Sequence, residues 1–375
     1  MITVRPVAPT KAELKKYVKF GIDLYEGNKY FVPPLIFDEV NTLMPKKNPA
    51  FDFCEAQSFM AYRDDEPVGR ITAIINCNVN DKNGEKNMRF GFVDFIDDAA
   101  VVDALFDAAR QWGRERGMER IVGPMGFSDL DHEGMLVEGF DEMGTMATIY
   151  NYPYYPKHME RLGFRKEVDY IEFRITVPEK VPDKYMRIAS IVERRFNLHV
   201  KTYTSRKQLK ADYGKAVFQL FNEAYDKLYG YSTLTAKQID YYIEMYLGIL
   251  RLDNLCVIVD EDDKLVGVGI SMPSLSHALR KSGGKLFPMG WWYLLEGLRG
   301  NTDTVDLMMV AIKPEYQGKG VNALLFSNLL PTYIKMGYKW AESNIELEGN
   351  ESVQKQWDYF ERRQHRRRRI YAREI

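Results

Sequence analysis

One order of elements occurs twice along this 375-residue chain: two β-branched apolar runs joined by a polar turn, a third strand, an amphipathic helix and another strand. In the first half, residues 59–63 and 68–75 flank Asp64-Asp65-Glu66-Pro67, the pattern of a hairpin, and residues 89–96 supply the third strand. Asp97 and Asp98 then offer N-cap oxygens to a helix in which Val101, Ala104, Leu105, Ala108 and Trp112 recur at helical spacing. That helix is expected to end near Gly117, followed by a short strand at 120–122, a polar loop or insertion over 127–144 and a closing strand at 170–176. In the second half the same plan reads as helices at 185–195 and 207–228, a hairpin of 256–260 and 264–271, a long strand at 304–312, a helix at 321–335 and a strand at 339–345. A final helix and a strand at 370–373 end the chain. Residues 177–183 carry two prolines and charges between structured stretches, so the expected division is a domain over 1–177, a linker at 178–183 and a domain over 184–375.

Charge narrows the partners. Fifty-two Lys+Arg against 53 Asp+Glu leave no basic excess of the kind a general nucleic-acid binder carries. Apolar residues at 45% and charged residues at 28% argue for an ordinary buried core and against disorder. Cys54, Cys77 and Cys256 lie far apart and the five histidines are scattered, so neither a disulfide framework nor a metal site is expected. The amino terminus lacks the apolar run of a signal peptide, and no stretch of about 18 uncharged apolar residues occurs. The most apolar segment, residues 286–298, is short, holds Pro288 and Glu296, and is expected to pack in a core. The expectation is a cytoplasmic protein with no membrane partner.

The segment from Asp306 to Leu325 carries the chemistry. A strand runs into Pro314-Glu315-Tyr316-Gln317-Gly318-Lys319-Gly320-Val321-Asn322-Ala323 and then into a helix. Glycine allows a tight backbone turn and close approach of a ligand, and a helix start presents unpaired N–H groups and the positive end of the peptide dipoles. A phosphate or pyrophosphate fits such a place. The Walker spacing is absent, and a dinucleotide fingerprint, with Gly318, Gly320 and Ala323, lacks the acidic residue that should follow a second parallel strand.

This run resembles the acyl-CoA signature of the GNAT acetyltransferase superfamily, (Arg/Gln)-x-x-Gly-x-(Gly/Ala), matched by Gln317 and Gly320 with Asn322 at the last small position. The resemblance implies a fold of two tandem GNAT-like α/β (α+β) domains, each a mixed, mostly antiparallel twisted sheet flanked by helices. It implies acetyl-CoA or another acyl-CoA as cosubstrate and no metal. The amides of Gln317, Gly318, Lys319, Gly320, Val321, Asn322 and Ala323 would hold the pyrophosphate, and the strand residues Met309, Val310 and Ala311 would hold the pantetheine arm. Asn350 matches the family's asparagine after the next strand, while Trp357 stands where the family usually has a tyrosine. Asn151, Tyr155, Leu162, Gly163 and Phe164 resemble the same segment in the first half, but its strand-to-helix turn, residues 95–100, holds Asp97 and Asp98 and no glycine. The first domain is therefore expected to have lost cofactor binding and the second to have kept it.

Acyl transfer to an amine needs a base for the ammonium proton and donors for the departing thiolate. Glu342 and Asp306 on neighbouring strands are the favoured carboxylates, with Glu346 beyond them, and Tyr359 is the nearest substitute for the missing tyrosine. The expected activity is transfer of an acyl group from CoA to a small-molecule or peptide amine, by a monomer or homodimer. Two other readings stay open: a non-catalytic binding protein of the same fold, and a transferase taking an aminoacyl group from transfer RNA. The tail from Arg362 to Arg369 bears on the latter, since residues 361–375 hold seven arginines and two glutamates. Alternate arginines of a final strand could equally face solvent or pair with acidic neighbours.

Overall fold

The computed structural model describes all 375 residues as two compact units, one formed by residues 1–171, 275–294 and 365–375 and the other by 172–274 and 295–364. The strands, in chain order, are β1 (Ile2–Pro6), β2 (Cys54–Arg63), β3 (Glu66–Asn76), β4 (Asn87–Phe95), β5 (Arg120–Gly123), β6 (Met135–Glu138) and β7 (Arg165–Thr176). They continue as β8 (His199–Lys201), β9 (Leu255–Val259), β10 (Leu265–Pro273), β11 (Thr304–Ile312), β12 (Trp340–Glu342), β13 (Glu346–Leu347) and β14 (Arg362–Glu374). The α-helices are α1 (Lys11–Asp23), α2 (Ile36–Thr42), α3 (Cys77–Asn83), α4 (Ala99–Arg114), α5 (Tyr154–Arg161) and α6 (Asp183–Phe196). They are followed by α7 (Arg206–Tyr225), α8 (Ala236–Tyr246), α9 (Ser276–Ser282), α10 (Gly290–Leu298), α11 (Asn322–Lys335) and α12 (Glu351–Gln354).

The first unit is built on the sheet order β1-β2-β3-β4-β5-β14, antiparallel except for the parallel pair β4·β5. Its hairpin closes at Arg63↔Glu66 through Asp64 and Asp65, both with positive φ, so the strands and tight polar turn anticipated from the sequence are present. Asp98 caps α4, and Val101, Val102, Leu105, Phe106, Ala109 and Trp112 bury the helix against β3 and β4. A second cluster under α1 and α2 joins Leu14, Tyr17, Val18, Val40 and Leu43 to Met60, Ile74 and Phe127. The second unit runs β8-β9-β10-β11-β12, again with a single parallel pair, β11·β12, and β12 is held on its other side by Arg174, Ile175 and Thr176 of β7.

Three sequence expectations are corrected. Residues 286–298 do not pack in a core: Phe287, Met289, Trp291, Trp292 and Leu295 are exposed. The last strand begins at Arg362, not at 370, because β14 ladders onto β6 through Arg367–Arg369 and onto β5 through Tyr371–Glu374. Its arginines alternate in burial. Arg366 and Arg368 are each only 1% exposed and donate to the carbonyls of Met143 and Ile149, while Arg369 forks onto Asp169 at 2.8 and 3.0 Å. Finally, the polar stretch 127–144 is not loop throughout, since it supplies β6, which pairs with β14.

Candidate functional site: two strand forks and one open turn

Each unit contains a fork in which two parallel strands pair for three residues and then part. In the second unit the pairs are Thr304↔Trp340, Val305↔Ala341 and Asp306↔Glu342; β12 then ends while β11 continues to Ile312. In the first unit the pairs are Asn87↔Arg120, Met88↔Ile121 and Arg89↔Val122, and β4 continues to Phe95. A strand that loses its neighbour on one side exposes a row of peptide groups there, the requirement for holding an extended, amide-bearing ligand arm.

The two forks differ in what already fills them. In the first unit Phe90 O accepts from Met125 N at 2.8 Å, Phe92 O from Tyr17 Oη at 2.9 Å and Phe95 O from Tyr154 Oη at 2.7 Å. Tyr155, in the first-half segment that resembles the family's asparagine-to-Gly-Phe stretch, is buried with its hydroxyl within hydrogen-bonding distance of Asp94 Oδ1, Tyr25 Oη and Phe95 N. Asn151 is buried and brackets the Leu136 peptide, accepting from its N–H and donating to its carbonyl. Tyr152 and Tyr154 stack on each other, and Tyr152 stacks on Tyr25, so these aromatics form part of this unit's packing. At the strand-to-helix turn, Asp98 Oδ1 accepts from Ala100 N at 2.8 Å and Val101 N at 3.4 Å and its carboxylate pairs with Arg63, while Asp97 meets His158 at 2.8 Å. The helix-start amides that would face an anion already hold the protein's own carboxylate.

In the second unit the turn is open. Gly318 and Gly320 take φ of +72° and +81°, a region costly for side-chain-bearing residues, which explains glycine at these two positions. The N–H groups of Gly318, Gly320 and Val321 have no backbone acceptor, whereas Ala323 N and Leu324 N already bond back to Gly320 O and Val321 O. Gln317 is exposed and its amide donates to Ile312 O at 3.0 Å, clamping the turn to the end of β11. Lys319 is exposed beside the same amides. This donor set fits a pyrophosphate: amides and a lysine, with no carboxylate capping the helix start.

Within the fork, Met308 O accepts from Asn344 Nδ2 at 3.0 Å and Val310 O from Tyr225 Oη at 2.6 Å. Tyr225 was legible only as one aromatic among many; its place over β11 comes from α7 lying across that strand. Met309 and Val310 are partly buried and Ala311 is buried.

The fork's base brings together Asp306 and Glu342, both 4% exposed and opposite one another in register. Glu342 is held by Arg174 Nε at 2.7 Å, and the next residue, Ser343, accepts from Phe173 N, so this corner anchors β12 to β7. Tyr359 lies at the surface, 56% exposed, with Lys184 Nζ 3.6 Å above its ring. Asn350 precedes α12 and accepts from Ser352 Oγ at 2.8 Å. Trp357 is buried against Phe326 and donates to Glu346 Oε1 at 2.8 Å. Burial pushes the Glu346 carboxyl up to about 7, against the Trp357 bond and the Arg362 charge.

No family model matches the chain. Protein YghO of Escherichia coli is 26% identical over 373 residues, covering 97% of this chain and 94% of that protein. The bacterial ceramide synthase of Caulobacter vibrioides is 26% identical over 362 residues, covering 94% and 92%. Among solved structures, a tandem GNAT protein from the clavulanic acid biosynthesis pathway aligns over 100% of this chain and 98% of its own, with a TM-score of 0.56 and 13% identity. A GCN5-related N-acetyltransferase from Sphaerobacter thermophilus aligns over 100% and 95% with a TM-score of 0.51 and 11% identity. With a parting parallel strand pair in each half and a glycine turn into a helix in the second, the chain has the tandem GNAT fold.

Proposed function

We propose that the protein is an acyl-CoA-dependent N-acyltransferase whose cosubstrate is held by the second unit. The observation that carries this reading is the asymmetry of the two turns: Asp98 caps its own helix in one, while Gly318, Gly320 and Val321 leave their amides open in the other. The amides from Gln317 to Ala323 would hold the pyrophosphate, Lys319 would add charge, and Met309, Val310 and Ala311 would line the pantetheine arm. Acyl-CoA would supply an activated thioester to this site. Asp306 and Glu342 are then best read as the buried base of the fork, and Glu346, whose proton is held to near neutral pH, as the group suited to take a proton from an ammonium. Tyr359 stays a candidate for supplying a proton from the surface.

The relative named as a ceramide synthase supports a more specific acceptor, a long-chain amino alcohol, and with it a long acyl chain in place of acetyl. Calorimetric titration with acetyl-CoA, a long-chain acyl-CoA and free CoA tests the site, with Gly320→Glu as control. Binding lost in the variant while its melting temperature stays within a few degrees supports the reading; no binding by the native chain to any of the three removes it. Trp357 in place of a tyrosine favours a second reading, a binding protein that holds acyl-CoA without transfer, recognised by binding without turnover on long-chain and short amines.

A further inference from the structure

Four large apolar side chains stand in solvent within six residues: Phe287 is 77% exposed, Met289 49%, Trp291 43% and Trp292 41%. Nowhere else in the chain does such a group occur, and scattered single apolar residues are what an ordinary surface shows. The segment is held on a firm base. Gly284 O accepts from Ile36 N at 3.0 Å, Ser276 Oγ donates to Gly144 O at 3.0 Å, and a Cβ at Gly284 would meet Pro34 O at 2.2 Å, so the chain is pinned to α2 and its neighbours just before the apolar residues emerge. The Trp291 indole N–H donates to Pro288 O at 3.0 Å, and the two indoles meet edge to face at 5.9 Å. The donor of Trp291 is thereby satisfied inside the segment, and its ring faces outward as apolar surface.

The residues leading into this patch carry charge of one sign, and the acidic residue beyond it on α10, Glu296, is paired with Arg299 at 2.7 Å. Residues 275–294 contain Arg280, Lys281 and Lys285 and no aspartate or glutamate. Lys281 and Lys285 are exposed, and Lys281 Nζ lies 4.3 Å over the Tyr293 ring, its stem covering aromatic surface while its charge reaches water. Phenylalanine and tryptophan flanked by lysines match the two layers of a bilayer surface, acyl chains beneath and anionic headgroups above. No helix is long and apolar enough to cross a membrane.

We infer that residues 286–292 dock the protein on an anionic lipid surface, with Phe287, Met289, Trp291 and Trp292 in the headgroup–acyl boundary and Lys281 and Lys285 on the lipid phosphates. A peripheral contact of this kind needs no spanning segment and is independent of acyl transfer. The expectation of no membrane partner rested on the absence of a signal-peptide run and of a long apolar stretch, and neither bears on a peripheral contact.

The test uses the full chain without acyl-CoA, sedimented with vesicles of phosphatidylcholine alone and of phosphatidylcholine mixed with phosphatidylglycerol, at low and high salt. The expected result is binding at least about tenfold stronger to the anionic vesicles, weakened by salt, with tryptophan emission moving to shorter wavelength. The pair Trp291→Ser and Trp292→Ser should reduce binding to both vesicle types. The pair Lys281→Gln and Lys285→Gln should reduce it by about tenfold on anionic vesicles only, at an unchanged melting temperature, whereas the tryptophan pair, more than half buried, should also lose a few degrees and is compared well below its midpoint. Absence of vesicle binding overturns the inference, as does equal binding by all variants. So does a native dimer in sedimentation velocity that the tryptophan variant dissolves without any vesicle binding, which would mark the patch as a contact between copies of the chain.

Discussion

The indole N–H of Trp357, at the sequence position where the GNAT resemblance would put a tyrosine, donates to Oε1 of Glu346 at 2.8 Å. An indole cannot release its proton in this pH range, so the pair moves the acid–base capacity from the aromatic residue to the carboxylate. With the Glu346 carboxyl pushed up to about 7, kcat/KM for amine acylation should rise through neutral pH as the carboxylate forms. Glu346→Gln should flatten that limb and lower the plateau. Trp357→Phe removes a hydrogen bond that favours the charged form and should move the limb to higher pH. A pH profile indifferent to both substitutions would remove Glu346 from the reaction.

Gly318 and Gly320 both sit in left-handed backbone, but their surroundings differ: a Cβ at Gly318 meets nothing within 4 Å, whereas one at Gly320 lies 3.3 Å from Ile188 Cγ2. Alanine at either should cost about 1–2 kcal/mol from backbone alone. Thermal unfolding should show similar losses for the two alanine variants, slightly larger at Gly320. Glutamate at Gly320 adds a charge facing the open amides, so its acyl-CoA affinity should fall far more than its stability.

Arg70 is the hub of a buried network in the first unit, 2.6 Å from Glu39 and 2.7 Å from Asp94, all three side chains under 10% exposed. Tyr25 donates to the same Asp94 at 2.9 Å. Arg70→Met leaves two buried carboxylates without their cation and should destabilise the protein by about 3–5 kcal/mol in denaturant unfolding. Replacing Glu39 and Asp94 together with Arg70 by apolar residues of similar size should recover much of that loss; an equally unstable triple variant would argue against uncompensated charge as the cause.

Glu133 is buried, and desolvation with the nearby Asp129 charge raises its carboxyl to about 8, while burial raises that of Asp131 to about 6. Each binds its proton more tightly in the folded chain than in the unfolded one. Stability should therefore be greatest on the acid side for these groups and fall as pH rises from about 4.5 through 8 for Glu133. Glu133→Gln should remove part of that fall, so its melting temperature should exceed that of the native chain near pH 9 and match it near pH 4.5. The reverse order at the two pH values would contradict the burial argument.

Local chemistry made several features readable without coordinates. The Asp64-Asp65 turn needs two residues tolerant of positive φ, Asp98 needs only a helix to follow it, and Gly318 and Gly320 mark a turn where a Cβ is costly. In each case the cause lies within a few residues. The resemblance carried by Gln317 to Ala323 reached the fold for the same reason, since a strand, turn and helix in sequence are neighbours in space.

Long-range pairing decided the rest. The arginines from Arg362 to Arg369 read as a charged tail, yet Arg366 and Arg368 are buried, because β6 and β5 take β14 as a ladder partner and carbonyls of Met143 and Ile149 accept from them. The apolar stretch 286–298 read as core, but its segment is pinned at Gly284 and carried outward, leaving Phe287, Trp291 and Trp292 in water. Composition and periodicity establish that a segment is apolar or charged; whether it is buried depends on which strand or helix arrives from far along the chain to cover it. The sequence by itself thus determined the elements, their caps and the open glycine turn, and only the tertiary structure decided which charges are inside and which aromatics are outside.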